Sequence, residues 1–159
     1  MPKKVFKLMP WQRKFFLSKA KFPCLISAWG TGKTMTGIMK GLALSTKYHN
    51  NLGLICRKTF KSLQKSTIKD FERYTKLKVS PSKQEIIIPG TDSTIMFAHA
   101  ENPGDLWESV QNINLGWFLI EQAEELDSAD VFDMLRGRMR RVLTPQKAVQ
   151  RKLIELGVL

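Results

Sequence analysis

The stretch Ser27-Ala28-Trp29-Gly30-Thr31-Gly32-Lys33-Thr34 constrains this chain more than any other. It follows an apolar run, Cys24-Leu25-Ile26, and precedes a helix-like stretch over 35–47. A glycine loop between a strand and a helix is the arrangement that cradles phosphate groups. Glycines admit positive φ, so backbone N–H groups can turn inward toward an anion. The helix that follows adds unpaired N–H groups and the positive end of its dipole. In that setting Lys33 is expected to reach the β- and γ-phosphates of a nucleoside triphosphate, and the Thr34 hydroxyl to ligate magnesium. Trp29, Gly30, Thr31 and Gly32 complete the expected nucleotide-binding loop. The usual spacing is G-x-x-x-x-G-K-[ST], and Ser27 stands where its first glycine belongs. A bare Gly-Lys-Thr also suits a surface turn that caps an ordinary helix. A matching acidic strand downstream decides between the two.

Gly116-Trp117-Phe118-Leu119-Ile120-Glu121 has that form, four apolar residues delivering a carboxylate. In open α/β sheets ligands gather at the carboxyl ends of the strands. Glu121 is therefore expected to hold the magnesium hydration shell, a role more often given to aspartate. Activation of water usually falls to a second carboxylate just beyond the metal acid. That position holds Gln122, whose amide orients a water but takes up no proton under ordinary conditions. Glu124 and Glu125 are the nearby substitutes. The catalytic candidates are thus Lys33, Glu121, Gln122 and Glu124.

The chain has 159 residues, room for one domain with its own core, and an apolar content of 43% argues against disorder. No apolar run reaches bilayer-spanning length and the N-terminus lacks a signal-peptide core, so the expected setting is cytoplasmic, without a membrane partner. Cys24 and Cys56, both in aliphatic runs, read as core thiols rather than a disulfide. The 26 basic residues outnumber 14 acidic ones, a net charge of +12 that suggests a polyanionic partner larger than one nucleotide. Basic clusters fall at 2–21, 57–78 and 136–141, and nucleic acid is preferred to a merely solvated surface.

A helix is expected from Pro10 or Trp11 to about residue 19, with proline in its first turn. Strand 23–27 and helix 33–47 follow, then a turn at Asn50-Asn51 and a buried strand over 52–56. Thr59 caps a helix over 60–76 whose Phe60, Leu63, Thr67, Phe71 and Tyr74 recur at helical spacing. Runs 85–89 and 93–98 flank Gly90-Thr91-Asp92 as a hairpin, and 103–109 suits a helical turn. After strand 117–120, Asp127 or Ser128 caps a helix reaching 140, and Thr144-Pro145 opens another to about 156. Helices alternating with buried strands predict an α/β fold with a parallel sheet. Three core strands, 23–27, 52–56 and 117–120, carry it, with the hairpin inserted before the third. Such a core is small for a nucleotide motor, so residues 1–159 are expected to be part of an ATPase domain that continues beyond the C-terminus.

In order along the chain, these motifs resemble the ATPase domain of the large terminase subunit of tailed bacteriophages. Met9-Pro10-Trp11-Gln12 resembles that family's adenine-recognition segment, in which Gln12 would contact the base. Ile55-Cys56-Arg57-Lys58-Thr59-Phe60, with Ser62-Leu63 and Ser66, resembles its second strand and helix. Ile95-Met96-Phe97 and the stretch through Trp107-Glu108-Ser109 resemble the segment before the acidic strand. The most specific part is Leu119-Ile120-Glu121-Gln122-Ala123-Glu124-Glu125-Leu126, followed by Phe132 and Leu135-Arg136-Gly137-Arg138-Met139-Arg140. The resemblance implies a P-loop NTPase of the additional-strand, catalytic-glutamate type with a RecA-like sheet. It implies ATP hydrolysis coupled to translocation of double-stranded DNA by a homo-oligomeric ring, with portal protein and small terminase subunit as partners. It also implies the host cytoplasm, with transient docking on the prohead. Where family loops commonly carry an arginine this chain has Trp29, so a transition-state arginine is sought among Arg57, Arg136, Arg138 and Arg140, with Arg57 and Arg138 the leading candidates. No coupling motif is recognisable before Leu159, and the acidic cluster of a nuclease domain is absent from the sequence. Two other readings remain: a helicase-like ATPase acting on nucleic acid, and a nucleotide-binding module without turnover.

Overall fold

The computed structural model describes residues 7–145. Its centre is β2 (Leu52–Arg57), which pairs in parallel with β4 (Thr94–His99) on one side and β5 (Trp117–Ile120) on the other. β3 (Glu85–Ile87) joins antiparallel to β4, giving the order β3-β4-β2-β5. Successive side chains of β2 point to opposite faces. Ile55 enters a core with Ile38, Leu63, Phe71, Phe97 and Trp117, whereas Leu54 and Cys56 enter one with Leu106, Val110, Val131 and Leu135. A strand buried on both faces needs a layer of helices on each. α2 (Lys33–Lys47) and the helical run 60–75 cover the first face; α5 (Pro103–Val110) and α6 (Asp130–Gly137) cover the second.

α1 (Pro10–Leu17) packs on α2. Lys40 of α2 donates to the carbonyls of Phe15, Phe16 and Ser18, at 3.0, 2.9 and 2.9 Å. The Phe15 carbonyl also takes the Ser18 N–H at 3.1 Å. Carbonyls at a helix end lack the i+4 partner of a helix interior, so a cation there satisfies them and meets the negative end of the dipole. Burial lowers the ammonium's pKa.

The run 60–75 comprises α3 (Phe60–Ser62), a π-helical segment Leu63–Ile68, and α4 (Lys69–Thr75). Thr59 caps it by accepting the Ser62 N–H at 3.1 Å. Its buried residues Leu63, Thr67 and Phe71 are spaced by four. On an α-helix of 3.6 residues per turn that spacing drifts by about 40° per step. The wider i→i+5 turns of the π segment reduce the drift and keep all three against the sheet.

Four expectations need correction. The hairpin is no insertion, because its second strand runs six residues in parallel register with β2. Segment 23–27 has no regular secondary structure and joins no ladder. Pro23 has no N–H to offer a neighbour, and the segment is held instead through Phe22, whose ring lies 5.9 Å from that of Phe118 and 5.1 Å from that of Phe132. Cys24 is consequently exposed rather than in the core; Cys56 is buried, and burial pushes its thiol up to about 12. Thr144-Pro145 opens no helix: it forms β6, antiparallel to β1 (Tyr48–His49), with Arg141 clasping Asn50 and Asn114 between them. The rest of that expected helix lies outside the described residues. No helix among the described residues is long and apolar enough to cross a membrane.

Candidate nucleotide site

The start of α2 and the carboxyl ends of β2 and β5 meet at one edge of the sheet. Gly30 and Gly32, at φ +72° and +88°, turn the chain into α2 through the left-handed region. The loop passes close beneath α1, since a Cβ on Gly32 would lie 2.9 Å from Gln12 Nε2. Gln12 is only 5% exposed. Its Nε2 donates to the Thr31 carbonyl at 3.2 Å, and its Oε1 accepts the Met9 N–H at 2.9 Å. The amide thus braces the loop from outside.

Ser27 braces it from within. The Thr31 hydroxyl donates to the Ala28 carbonyl at 2.7 Å, so in its 2.6 Å contact with Ser27 Oγ the serine must be the donor. Serine in place of the first glycine therefore adds a bond that glycine could not make. Lys33 Nζ donates to the carbonyls of Ser27 and Ala28, at 2.5 and 2.9 Å. A phosphate, itself ionised, would hold this ammonium more strongly than two neutral carbonyls do. Trp29, 90% exposed, stands at the loop tip.

Thr34 donates to Glu121 Oε1 at 2.5 Å, joining the first turn of α2 to the end of β5 across 87 residues of chain. The Glu121 N–H donates to the Cys56 carbonyl at 2.8 Å, which anchors the strand end to β2. Glu121 is buried, 8% exposed, and its other carboxylate oxygen accepts from Thr67. Thr67 was legible in the sequence only as one member of a buried helical stripe. The available signal was its hydroxyl, because a polar group between Leu63 and Phe71 requires an acceptor.

Beyond Glu121, Gln122 takes φ +53° and turns the chain out of the sheet. Glu124 is exposed on the short 3-10 turn Ala123–Glu125. Glu125 is engaged: Arg57 donates to both of its oxygens, at 3.3 and 3.0 Å. That bond, with the charges of Glu121, Glu125 and Glu124, raises the Arg57 pKa against the opposing effect of burial. Arg57 therefore lies at the site edge, paired in cis. Arg138 does not. Its carbonyl accepts the Leu115 N–H at 2.8 Å, just ahead of β5, and its guanidinium stacks 4.4 Å from the centre of the Trp107 ring. Residues 115 and 121 are separated by about 20 Å of extended chain, which puts Arg138 at the opposite edge of the sheet from Glu121. Arg136 pairs with Asp133 on α6, and Arg140 is exposed.

The oxygen set at this edge suits a small hard cation, which takes hydroxyl and carboxylate oxygens and is commonly shared with phosphate. Among the described residues no group of three or more His, Cys, Asp or Glu side chains forms a closed metal cage. Magnesium in phosphoryl-transfer sites needs none, being bound by one or two carboxylates with the substrate. The loop itself is an open cradle. Two half-open grooves among the described residues, of about 200 and 300 Å³, lie elsewhere, between β4 and α5 and beside α4.

A braced glycine loop feeding a helix, beside a parallel strand that ends on a buried acid, is the arrangement of the P-loop NTPase class. Within that class the chain belongs to the phage terminase large subunit family, whose family model matches residues 19–154. The family is that of packaging-motor ATPases, which work on DNA with portal and small-subunit partners. Among curated proteins and among solved structures, none matches the chain.

Proposed function

We propose that this chain binds ATP with magnesium and hydrolyses it to drive double-stranded DNA into a phage prohead. The bond between Thr34 and Glu121 carries the proposal, because it unites the phosphate loop and the acidic strand in one oxygen site. In this reading Lys33 and the loop amides hold the triphosphate, and Thr34 and Glu121 hold the metal. Magnesium, when bound, neutralises phosphate charge and favours the transition state. Gln12, which braces the loop from α1, is the candidate for the base contact through its remaining Nε2 hydrogen. Gln122 orients the attacking water through its amide. Its proton requires a base, and Glu124 is the unpaired carboxylate nearby, Glu125 being engaged by Arg57. Release of Arg57 from Glu125 frees a guanidinium for the γ-phosphate. An arginine from a neighbouring copy in a ring, Arg138 included, is the alternative. An arginine finger contributes about three to five orders of magnitude in rate.

DNA contact is supported by the net charge of +12 and by Lys61, Lys65 and Lys69, which recur every fourth residue on the exposed face of the run 60–75. We place the working protein in the host cytoplasm, docked transiently on the prohead. Gln122 in the position of the second acid keeps one rival alive, a module that binds nucleotide without turnover. Lys33→Ala and Glu121→Gln separate the readings. The first should abolish tight magnesium–ATP binding, and unchanged affinity would refute the loop assignment. The second should cut hydrolysis far more than nucleotide affinity; equal turnover would move the metal acid elsewhere. Wild-type protein that binds ATP but never hydrolyses it, even with DNA and portal present, would establish the rival.

A further inference from the structure

We propose that Thr67 is a positioning residue for Glu121, set in place by the π-helical turn. This rests on the assignment of Glu121 as the magnesium-side acid. Each oxygen of that carboxylate accepts from one threonine, Oε1 from Thr34 at the start of α2 and Oε2 from Thr67 in the π segment. The two are not equivalent. Thr34 is itself a metal ligand candidate, so when its hydroxyl oxygen turns to a cation Glu121 loses one of its two anchors. Thr67 is fully buried and has no such second duty. Among the described residues it is then the remaining side-chain donor that keeps the carboxylate aimed at the metal.

Packing does not account for the hydroxyl, because valine has nearly the same shape and would fill a slot between Leu63 and Phe71. Nor is the hydroxyl absorbed by the local backbone. Thr36 and Thr75 donate to the carbonyl four residues back, as helical threonines commonly do. Thr67 instead donates to a side chain 54 residues away. The turn that carries it is the π segment Leu63–Ile68, a rare geometry often found at functional sites. An α-turn there would rotate Thr67 by about 40° relative to Leu63, swinging its hydroxyl away from β5.

The test uses Thr67→Val and Thr67→Ser in the 159-residue chain. Calorimetry measures the affinity of ADP with manganese and of ADP alone in chelator. Thr67→Val should weaken the manganese–ADP complex about tenfold, leave metal-free ADP within twofold, and be rescued by Thr67→Ser. Metal-linked affinity unchanged in Thr67→Val, or loss of both affinities together without rescue by serine, overturns the proposal. A ligand-free measurement stands beside it: urea midpoints of Thr67→Val, of Glu121→Met, which removes both acceptor oxygens, and of the double variant. Non-additive midpoints support the contact and additive ones overturn it. If midpoints are coupled while the wild type shows no metal-linked ADP binding, the nucleotide reading fails, yet Thr67 stands as the residue that orients Glu121.

Discussion

Gly41→Ala tests whether the closeness of α2 to β5 is what brings Thr34 to Glu121. A Cβ on Gly41 would lie 2.4, 2.7 and 3.0 Å from three atoms of the Trp117 ring. The ring cannot retreat, since the backbone of Gly53 closes its other side; a Cβ there would come within 2.1 Å of it. Its Nε1 also donates to Ser45 Oγ at 3.0 Å, which fixes its tilt. Ordinary contact can be restored only if α2 moves outward by about 1 Å, a shift its first turn, with Lys33 and Thr34, must share. Two effects oppose each other. Alanine is the better helix former by about 1 kcal/mol. Overpacking costs roughly 1–3 kcal/mol, and the upper end applies where neither neighbour is flexible. The net loss is then about 2 kcal/mol, or a Tm lower by roughly 4–8 °C for a chain of this size. A misplacement of about 1 Å at a reacting site can cost on the order of a hundredfold in turnover. Urea unfolding followed by tryptophan fluorescence reads the first quantity, and phosphate release reads the second. Trp117→Phe, smaller at the contact, should partly rescue both in the double variant. A Gly41→Ala midpoint at or above that of the wild type means that helix propensity wins, and the close-approach account is wrong.

If the exposed lysines of the run 60–75 meet duplex DNA, the logarithm of affinity falls with that of salt by about 0.9 per neutralised phosphate. Replacing Lys61, Lys65 and Lys69 by glutamine should then flatten the slope by nearly three units; an unchanged slope moves the DNA face elsewhere. Thiol labelling of the native protein near pH 8 should modify Cys24 rapidly and spare Cys56, whose thiol is held at about 12; two fast thiols would contradict that burial. Glu72, whose pKa is lowered by the Val79 N–H and by Lys78, should support stability fully above the unfolded carboxylate value of about 4.3 and lose that support as pH falls through its lower folded value. Glu72→Gln should therefore shrink the acid-side loss of stability, and an unaltered pH profile would discount the interaction.

The elements that announce themselves locally were legible from the residues. Trp117–Ile120 is a strand because four apolar residues are bounded by Gly116 and an acid. Thr59 caps its helix because its hydroxyl has a backbone N–H within reach. What escaped depended on partners distant in the chain. Residues 94–99 read as half of a hairpin, and nothing local says that their other edge pairs with β2. Residues 23–27 carry a strand's composition, but a strand also needs a ladder, and Phe22 ties the segment to aromatic rings instead. Arg57 and Arg138 are equals as sequence positions. Only the direction of β5 separates them, putting one beside Glu121 and the other at the far end.

By itself the amino-acid order determined the parts: a loop able to turn its amides inward, an apolar strand with a carboxylate at its tip, and a surplus of positive charge. Those properties are local, set by glycine's free φ, by side-chain polarity and by counting. The tertiary structure decided which parts meet. It brought Thr34 and Thr67, far from Glu121 in sequence, onto the two oxygens of one buried carboxylate. It withdrew Glu125 by giving it to Arg57. Contacts of that kind depend on strand order and on the spacing between a helix and its sheet, and no run of neighbouring residues encodes either.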